Sequence, residues 1–323
     1  MHRFLLPLLL LLPADLRAGS TFDLQKGTVL ELAAAHEAAV LLGRDDEYFR
    51  RMSPFDREVR MRVDEPPSRE TFAAHVAANA VDWSEREEER MRGAVGRLGA
   101  TLEPLELRFP TKITIVKTTG LEDVNFPYCR GALIVFPASA LRDESTIARI
   151  LAHELFHVFS THHPKLRDSL YALLGFTHCG ELPLPPELDK RRFTNPDAPR
   201  YDYSTRVQIG DRLASVVPAL LARADHFDPQ QKDGVLAQID FRLIEVEPKQ
   251  DGVVPVLEAD GAVRSHLASE VPDYRRRVAQ NTGYDWHPEE VLAENFVHLL
   301  LPPAKPLTNP ELPQQLRAVM QTP

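Results

Sequence analysis

The period of the apolar residues changes several times along this chain, and the changes mark out its elements. Val29, Leu30, Leu32, Ala33, His36, Val40 and Leu41 recur at three and four positions, which predicts helix over 27–50. Residues 69–80 and 84–98 carry the same period. The second of these includes Glu85-Arg86-Glu87-Glu88-Glu89-Arg90, which reads as a solvated face. From about residue 104 the period shortens to two. Segments 105–109 and 112–116 alternate as strands do, and 131–136 is a third apolar run, stopped by Pro137. Helical spacing then returns at Ile147, Ile150, Leu151, Leu155, Val158 and Phe159, behind Asp143-Glu144-Ser145-Thr146, which offers N-cap chemistry. This helix is expected to stop near Ser160-Thr161, ahead of Pro164, with a short helix over 165–175.

Residues 180–203 are rich in proline and turn formers and read as a long loop, a kind of segment that is often functional when ordered. Segments 205–209, 214–221, 235–246 and 253–257 read as strands of an antiparallel meander. Helices return at 271–281 and 288–300, and Asn309-Pro310 starts a last one. The pattern predicts an α+β protein: a helical N-terminal region over 19–104, then a domain over 105–323. In that domain a metal-binding helix lies beside a small mixed sheet, with an antiparallel meander inserted at about 180–260.

Composition narrows the function classes. The chain has 323 residues, 43% of them hydrophobic, enough to bury a sizeable core, and a net charge of −9, a poor match for nucleic acid. Residues 1–18 read as a secretory signal: His2-Arg3, an apolar run over 4–12 broken by Pro7, and Ala18 before Gly19-Ser20 as the cut. The run is too short to cross a bilayer, and no other segment approaches a membrane span. A secreted or periplasmic protein is expected. Cys129 and Cys179 permit one disulfide in that setting, and two free thiols fit equally.

The candidate chemistry lies in His153-Glu154-Leu155-Phe156-His157. On a helix, positions i and i+4 share a face, so His153 and His157 can aim their imidazoles at one point, as a zinc ion requires of two ligands. Glu154, one residue round the helix, is placed to take a proton from water beside the metal. General acid–base help of this kind is worth roughly 10² to 10⁴ in rate. Without a metal, the same stretch is an amphipathic helix with two satisfied histidines.

A catalytic zinc takes three protein ligands, and three residues compete for the third place. Glu290 lies in the first turn of the helix that Pro288 opens, with Glu294 one turn on, placed to hydrogen-bond a ligating histidine. Glu289 and Glu290 also suit a helix N-terminus as capping acids. Glu294 itself is the second candidate. His163 is the third, from the spacing His153, His157, His163, although that arrangement normally turns on a glycine where Ser160 stands. Glu181 is a weaker loop candidate. Tyr201, Tyr203 and His226 are candidates for steadying an oxyanion, and ordinary packing explains each as well.

His153-Glu154-x-x-His157 with a later Glu290-x-x-x-Glu294 resembles the gluzincin group of zinc metallopeptidases, the thermolysin-like clan. The stretch from Glu290 to Pro302 is also similar to the ligand helix of ImmA/IrrE-type peptidases. The resemblance covers two short helices, separated by more chain than is usual in that group. It implies one zinc per chain held by His153, His157 and Glu290, with Glu154 as general base, and hydrolysis of a peptide or protein substrate. A metal-dependent hydrolase of a non-peptide amide or ester, and an inactive zincin-fold binding protein, are the rival readings.

Overall fold

The computed structural model describes residues 19–231 and 234–322, so the expected leader, residues 1–18, lies outside the described residues. The chain opens with a hairpin, β1 (Thr21–Gln25) and β2 (Thr28–Leu32). Helices α1 (Ala35–Leu42), α2 (Glu47–Arg51), α3 (Pro54–Met61), α4 (Arg69–Ala78) and α5 (Glu85–Leu102) follow. Next come β3 (Lys112–Thr118), β4 (Tyr128–Arg130) and β5 (Leu133–Pro137), then α6 (Glu144–His162) and α7 (Pro164–Ala172). A second group of strands contains β6 (Phe176–His178), β7 (Tyr203–Ile209), β8 (Arg212–Ala222), β9 (Ile239–Lys249), β10 (Gly252–Pro255) and β11 (Ser265–Leu267), with α8 (Pro186–Asp189) inside its first loop. Helices α9 (Pro272–Val278), α10 (Pro288–Leu300) and α11 (Leu312–Met320) close the chain.

The fold is α+β, as the pattern predicts. The first sheet is mixed, in the order β1-β2-β3-β5-β4; β2 and β5 both run parallel to β3, while the two edge pairs are antiparallel. The second sheet is an antiparallel meander, β10-β9-β8-β7-β6, with β11 also paired to β9.

The structure corrects two expectations. The N-terminal region is not all helix, because 21–32 forms a hairpin that extends the first sheet. Thr28, Leu30 and Leu32 are buried at a period of two, and Gly27, at φ 85°, makes the turn. Over so short a window Val29, Leu30, Leu32 and Ala33 match both periods. Segment 105–109 is not a strand. Glu106 sits at φ 51°, a left-handed conformation that interrupts extended pairing. Leu105, Leu107 and Phe109 are nevertheless buried, so the alternation reported burial and not a ladder. The cysteines are free thiols: Cys129 Sγ donates to the Gly131 carbonyl and Cys179 Sγ to that of Gly180.

Two features of the fold position the site. Helix α6 begins at an Asp143 cap, whose Oδ1 accepts the Thr146 N–H at 2.9 Å. It packs its apolar residues Leu151, Leu155 and Phe159 into the main core with Val291, Leu292 and Phe296 of α10, the Phe156 and Phe296 rings lying 6.1 Å apart. The second feature is a buried polar clamp around Arg60 of α3, which is 1% exposed. Arg60 pairs with Asp56 at 2.7 Å and Asp123 at 3.0 Å, and its Nη2 donates to the Thr194 carbonyl at 2.9 Å. Removing one partner from a buried pair leaves an uncompensated charge. Arg60→Met is therefore expected to lower the unfolding free energy by about 3–5 kcal/mol in urea titrations.

Glu122, beside Asp123 in the loop after β3, is also buried, and burial pushes its carboxyl up to about 7 although Thr118 donates to it. The folded protein then holds a proton that an unfolded glutamate, titrating near 4.5, has released. That stabilisation is full below about pH 4.5 and is lost as pH rises through about 7. Between about pH 5 and 8, Glu122→Gln is expected to lose less stability than the wild type, read from urea midpoints.

Candidate functional site

Packing α6 against α10 brings His153, His157 and Glu290 together. Glu290 Oε2 lies 3.1 Å from His153 Nε2 and 3.9 Å from His157 Nε2, and one donor atom from each of the three residues lies within 4.8 Å of the others. A tetrahedral zinc with bonds of about 2.05 Å has ligand–ligand edges of about 3.3 Å, so the three donors are grouped closely enough for one ion, with the wider separations closing on binding.

The far nitrogens of both rings are held by carboxylates of α10. His153 Nδ1 lies 3.0 Å from Glu294 Oε1, and His157 Nδ1 lies 3.1 Å from Glu289 Oε1. A carboxylate on Nδ1 fixes the tautomer that leaves Nε2 free to ligate. Glu289, completely buried, accepts also from Ser160 Oγ at 2.9 Å and from the Tyr171 hydroxyl. Glu294 is bonded by Arg149.

Two buried atoms at this point have no hydrogen-bond partner: His157 Nε2 and Glu154 Oε2. An orphaned buried polar atom costs about 1–3 kcal/mol, and native proteins rarely tolerate one without a reason. A cation held by His153, His157 and Glu290 would satisfy His157 Nε2. The donor set, two imidazoles and a carboxylate, is one that zinc accepts.

The electrostatics follow from the carboxylates gathered around the two rings. Burial alone would push both imidazoles toward the neutral form, yet His153 is raised well above its usual range by the hydrogen bonds of Glu290 and Glu294. His157 rises to about 9 against the same penalty, through Asp197 and Glu290. Glu290 falls to about 2 although burial opposes it, because His157 and His153 stabilise its charge. The surrounding carboxylates favour positive charge at this point, whether carried by protonated imidazoles or by a bound cation. Glu154 goes the other way: burial raises its carboxyl, suiting it to hold a proton.

Sequence reasoning missed three contributors. Glu289 reads as a helix-capping acid, and only the packing of α10 shows that it serves His157. Asn195 donates from Nδ2 to Glu290 Oε1 at 2.6 Å. Asp197 brings a carboxylate oxygen within 4.8 Å of donor atoms of Glu154 and His157, and its Oδ1 accepts the N–H of Cys129, on the edge strand β4, at 2.6 Å. Asn195 and Asp197 lie in the proline-rich loop over 180–203, whose composition was the available signal. A cavity of about 300 Å³ runs beside Asp197, lined also by Cys129, Gly131, Tyr171, Arg200 and His287.

The other candidates are placed elsewhere. His163 follows the last turn of α6, where its Nε2 donates to the Arg108 carbonyl at 2.6 Å and its ring stacks on Phe159; it lines a separate cavity of about 500 Å³. Glu181 pairs with Arg51 at 2.9 Å. The Tyr201 hydroxyl donates to the Leu220 carbonyl, Tyr203 donates to Asp168, and His226 pairs with Glu58. Tyr284, 44% exposed, is the aromatic residue beside His153, at 6.3 Å between ring centroids.

The unequal burial of the two supporting carboxylates yields a test. Glu289→Ala strands His157 Nδ1, Ser160 and Tyr171 in the interior and is expected to cost about 3–5 kcal/mol in urea unfolding. Glu294→Ala, whose partner Arg149 is half exposed, is expected to cost markedly less in the same measurement.

Comparison with family models, with curated proteins and with solved structures finds no match to this chain.

Proposed function

We propose that this protein is a zinc-dependent metallopeptidase of the gluzincin type. His153, His157 and Glu290 hold one zinc, and Glu154 is the general base. The observation that carries this reading is the buried, unpartnered Nε2 of His157, set beside Glu290 Oε2 and the outward nitrogen of His153. When bound, the ion supplies Lewis acidity: it polarises a substrate carbonyl and makes water a better nucleophile at neutral pH.

The chain's own residues do the rest. Glu154 keeps Oε2 unpaired inside the site, so it can accept a proton from the attacking water and return it to the leaving amine. Glu289 and Glu294 hold the two imidazoles in register. The substrate is an extended peptide laid along β4, the last strand of the first sheet. The Cys129 N–H there is bonded to Asp197 in this structure, and a peptide pairing with it as an added strand takes the place of that carboxylate. The gluzincin type, a peptide as substrate and export from the cytoplasm belong to this one reading.

The decisive experiment joins metal analysis to turnover. Purified protein is expected to contain one zinc per chain and to hydrolyse peptides. Glu154→Gln is expected to keep the zinc and lose activity by roughly 10² to 10⁴-fold. Absence of stoichiometric metal in the wild type, or a Glu154→Gln variant as active as the parent, would overturn the proposal.

A further inference from the structure

Resting on the metal-centre reading above, we propose that Asn195 is a positioning residue for the ligand Glu290, and that the N-terminal helices hold it there. The N-terminal region then works as part of the metal centre, through a single loop.

The hydrogen bonds of Asn195 fix its orientation. A carboxylate only accepts, so the amide must present Nδ2 to Glu290 Oε1, at 2.6 Å. Its Oδ1 accepts the Asp197 N–H at 3.1 Å. Both ends of the amide are therefore engaged. With Oε1 of Glu290 held by Asn195, Oε2 is the oxygen left toward the two imidazoles. Asn195 thereby favours one-oxygen ligation and resists rotation of the carboxylate about its last bond.

The residue just before it is clamped. Asp56 Oδ1 accepts the Thr194 N–H at 2.8 Å, and Asp56 Oδ2 accepts the Thr194 hydroxyl at 2.7 Å. Arg60 Nη2 donates to the Thr194 carbonyl at 2.9 Å. Asp56 is completely buried, and Arg60 and Thr194 are each 1% exposed. Ser53 Oγ donates to the Arg192 carbonyl at 2.6 Å, and the Arg60 guanidinium sits over the Phe193 ring. From the other side the Phe193 N–H bonds to the Leu220 carbonyl of β8 at 2.9 Å. The loop is thus gripped at three successive residues between α3 and the second sheet, immediately before the side chain that meets Glu290. A grip of this kind is more than chain order alone requires, and it delivers Asn195 with little freedom.

The test measures zinc affinity of the full chain by chelator competition, which needs no turnover. Removing a group that orients a metal ligand typically costs 10–100-fold in affinity, and that loss is expected for Asn195→Ala, with the melting temperature of the metal-free protein unchanged. Asn195→Gln, which keeps an amide donor, is expected to recover part of the loss. Asn195→Ser serves as a second truncation should the alanine variant not fold. A double-mutant cycle separates positioning from general support: in a Glu290→Ala background, Asn195→Ala is expected to cost no further affinity. An equal loss in both backgrounds, or wild-type affinity in Asn195→Ala to within about twofold, would overturn the assignment while the metal reading stands. A wild-type chain that takes up no zinc would overturn the metal reading itself, and this assignment with it.

Discussion

The site depends on the contact between α6 and α10. Each helix alone carries an unfavourable arrangement. Helix α6 puts two imidazoles and a carboxylate on a largely buried face, and α10 buries Glu289, Glu290 and Glu294 within two turns. Buried ionised carboxylates are tolerated only with positive partners and hydrogen bonds. Brought together, the two sets answer each other, for every carboxylate of α10 finds an imidazole, and Glu290 finds both. The spacing is set by apolar contact. Phe156 on Phe296, within a core that also holds Leu151, Leu155, Val291 and Leu292, fixes the interaxial distance; charge attraction alone would not specify it, since Coulomb energy varies slowly over tenths of an ångström.

How much of this the sequence reveals follows from the range of the interactions. The α+β class, α6 and α10 with their caps, and the meander are legible because period and capping are local properties. Asp143 and Pro288 stand where those rules place them. The opening hairpin is not legible, because five residues of β2 satisfy a helical and an extended period equally. Among the site residues, His153, Glu154 and His157 are readable from one helical turn, and Glu290 and Glu294 from another. Glu289, Asn195 and Asp197 are not readable, because each acts across a tertiary contact more than sixty residues from its partner. Glu289 illustrates the difficulty: an acid in the first turn of a helix already has a local explanation in the helix dipole, and nothing nearby in sequence signals its second task.

The proline-rich loop shows how an apparently irregular segment becomes ordered. Several of its backbone polar groups are paired: Cys179 and Leu182 donate across to Asp202 and Tyr201, Phe193 donates to Leu220, and Thr194 is held by Asp56. Proline lowers the entropy lost on ordering, since its φ is already fixed. The loop is therefore a rigid arm between the second sheet and α3, and its tip supplies Asn195 and Asp197 to a centre built by two other helices.

The length of chain between the two motif helices then has a physical explanation. Loop-closure cost grows only logarithmically, about 0.6 kcal/mol for each doubling of the connection, and the meander offsets part of its ordering cost by its own packing. Its strands pair with sequence neighbours, and Leu182, Tyr201, Val217, Leu221, Ile244 and Val246 form a separate apolar cluster. The opposite face of the meander joins the main core through Tyr203, Val207, Val216 and Leu243, so the long connection is packed against the body that holds α6 and α10 together. It also adds something that a short connection could not. By carrying the loop out from β6 and back to β7, this segment brings Asn195 to Glu290 and Asp197 close to Glu154 and His157. On the proposed reading, the wide spacing that sets this chain apart from the gluzincin pattern is the means by which a third segment of the chain, the loop carrying Asn195 and Asp197, reaches the metal centre.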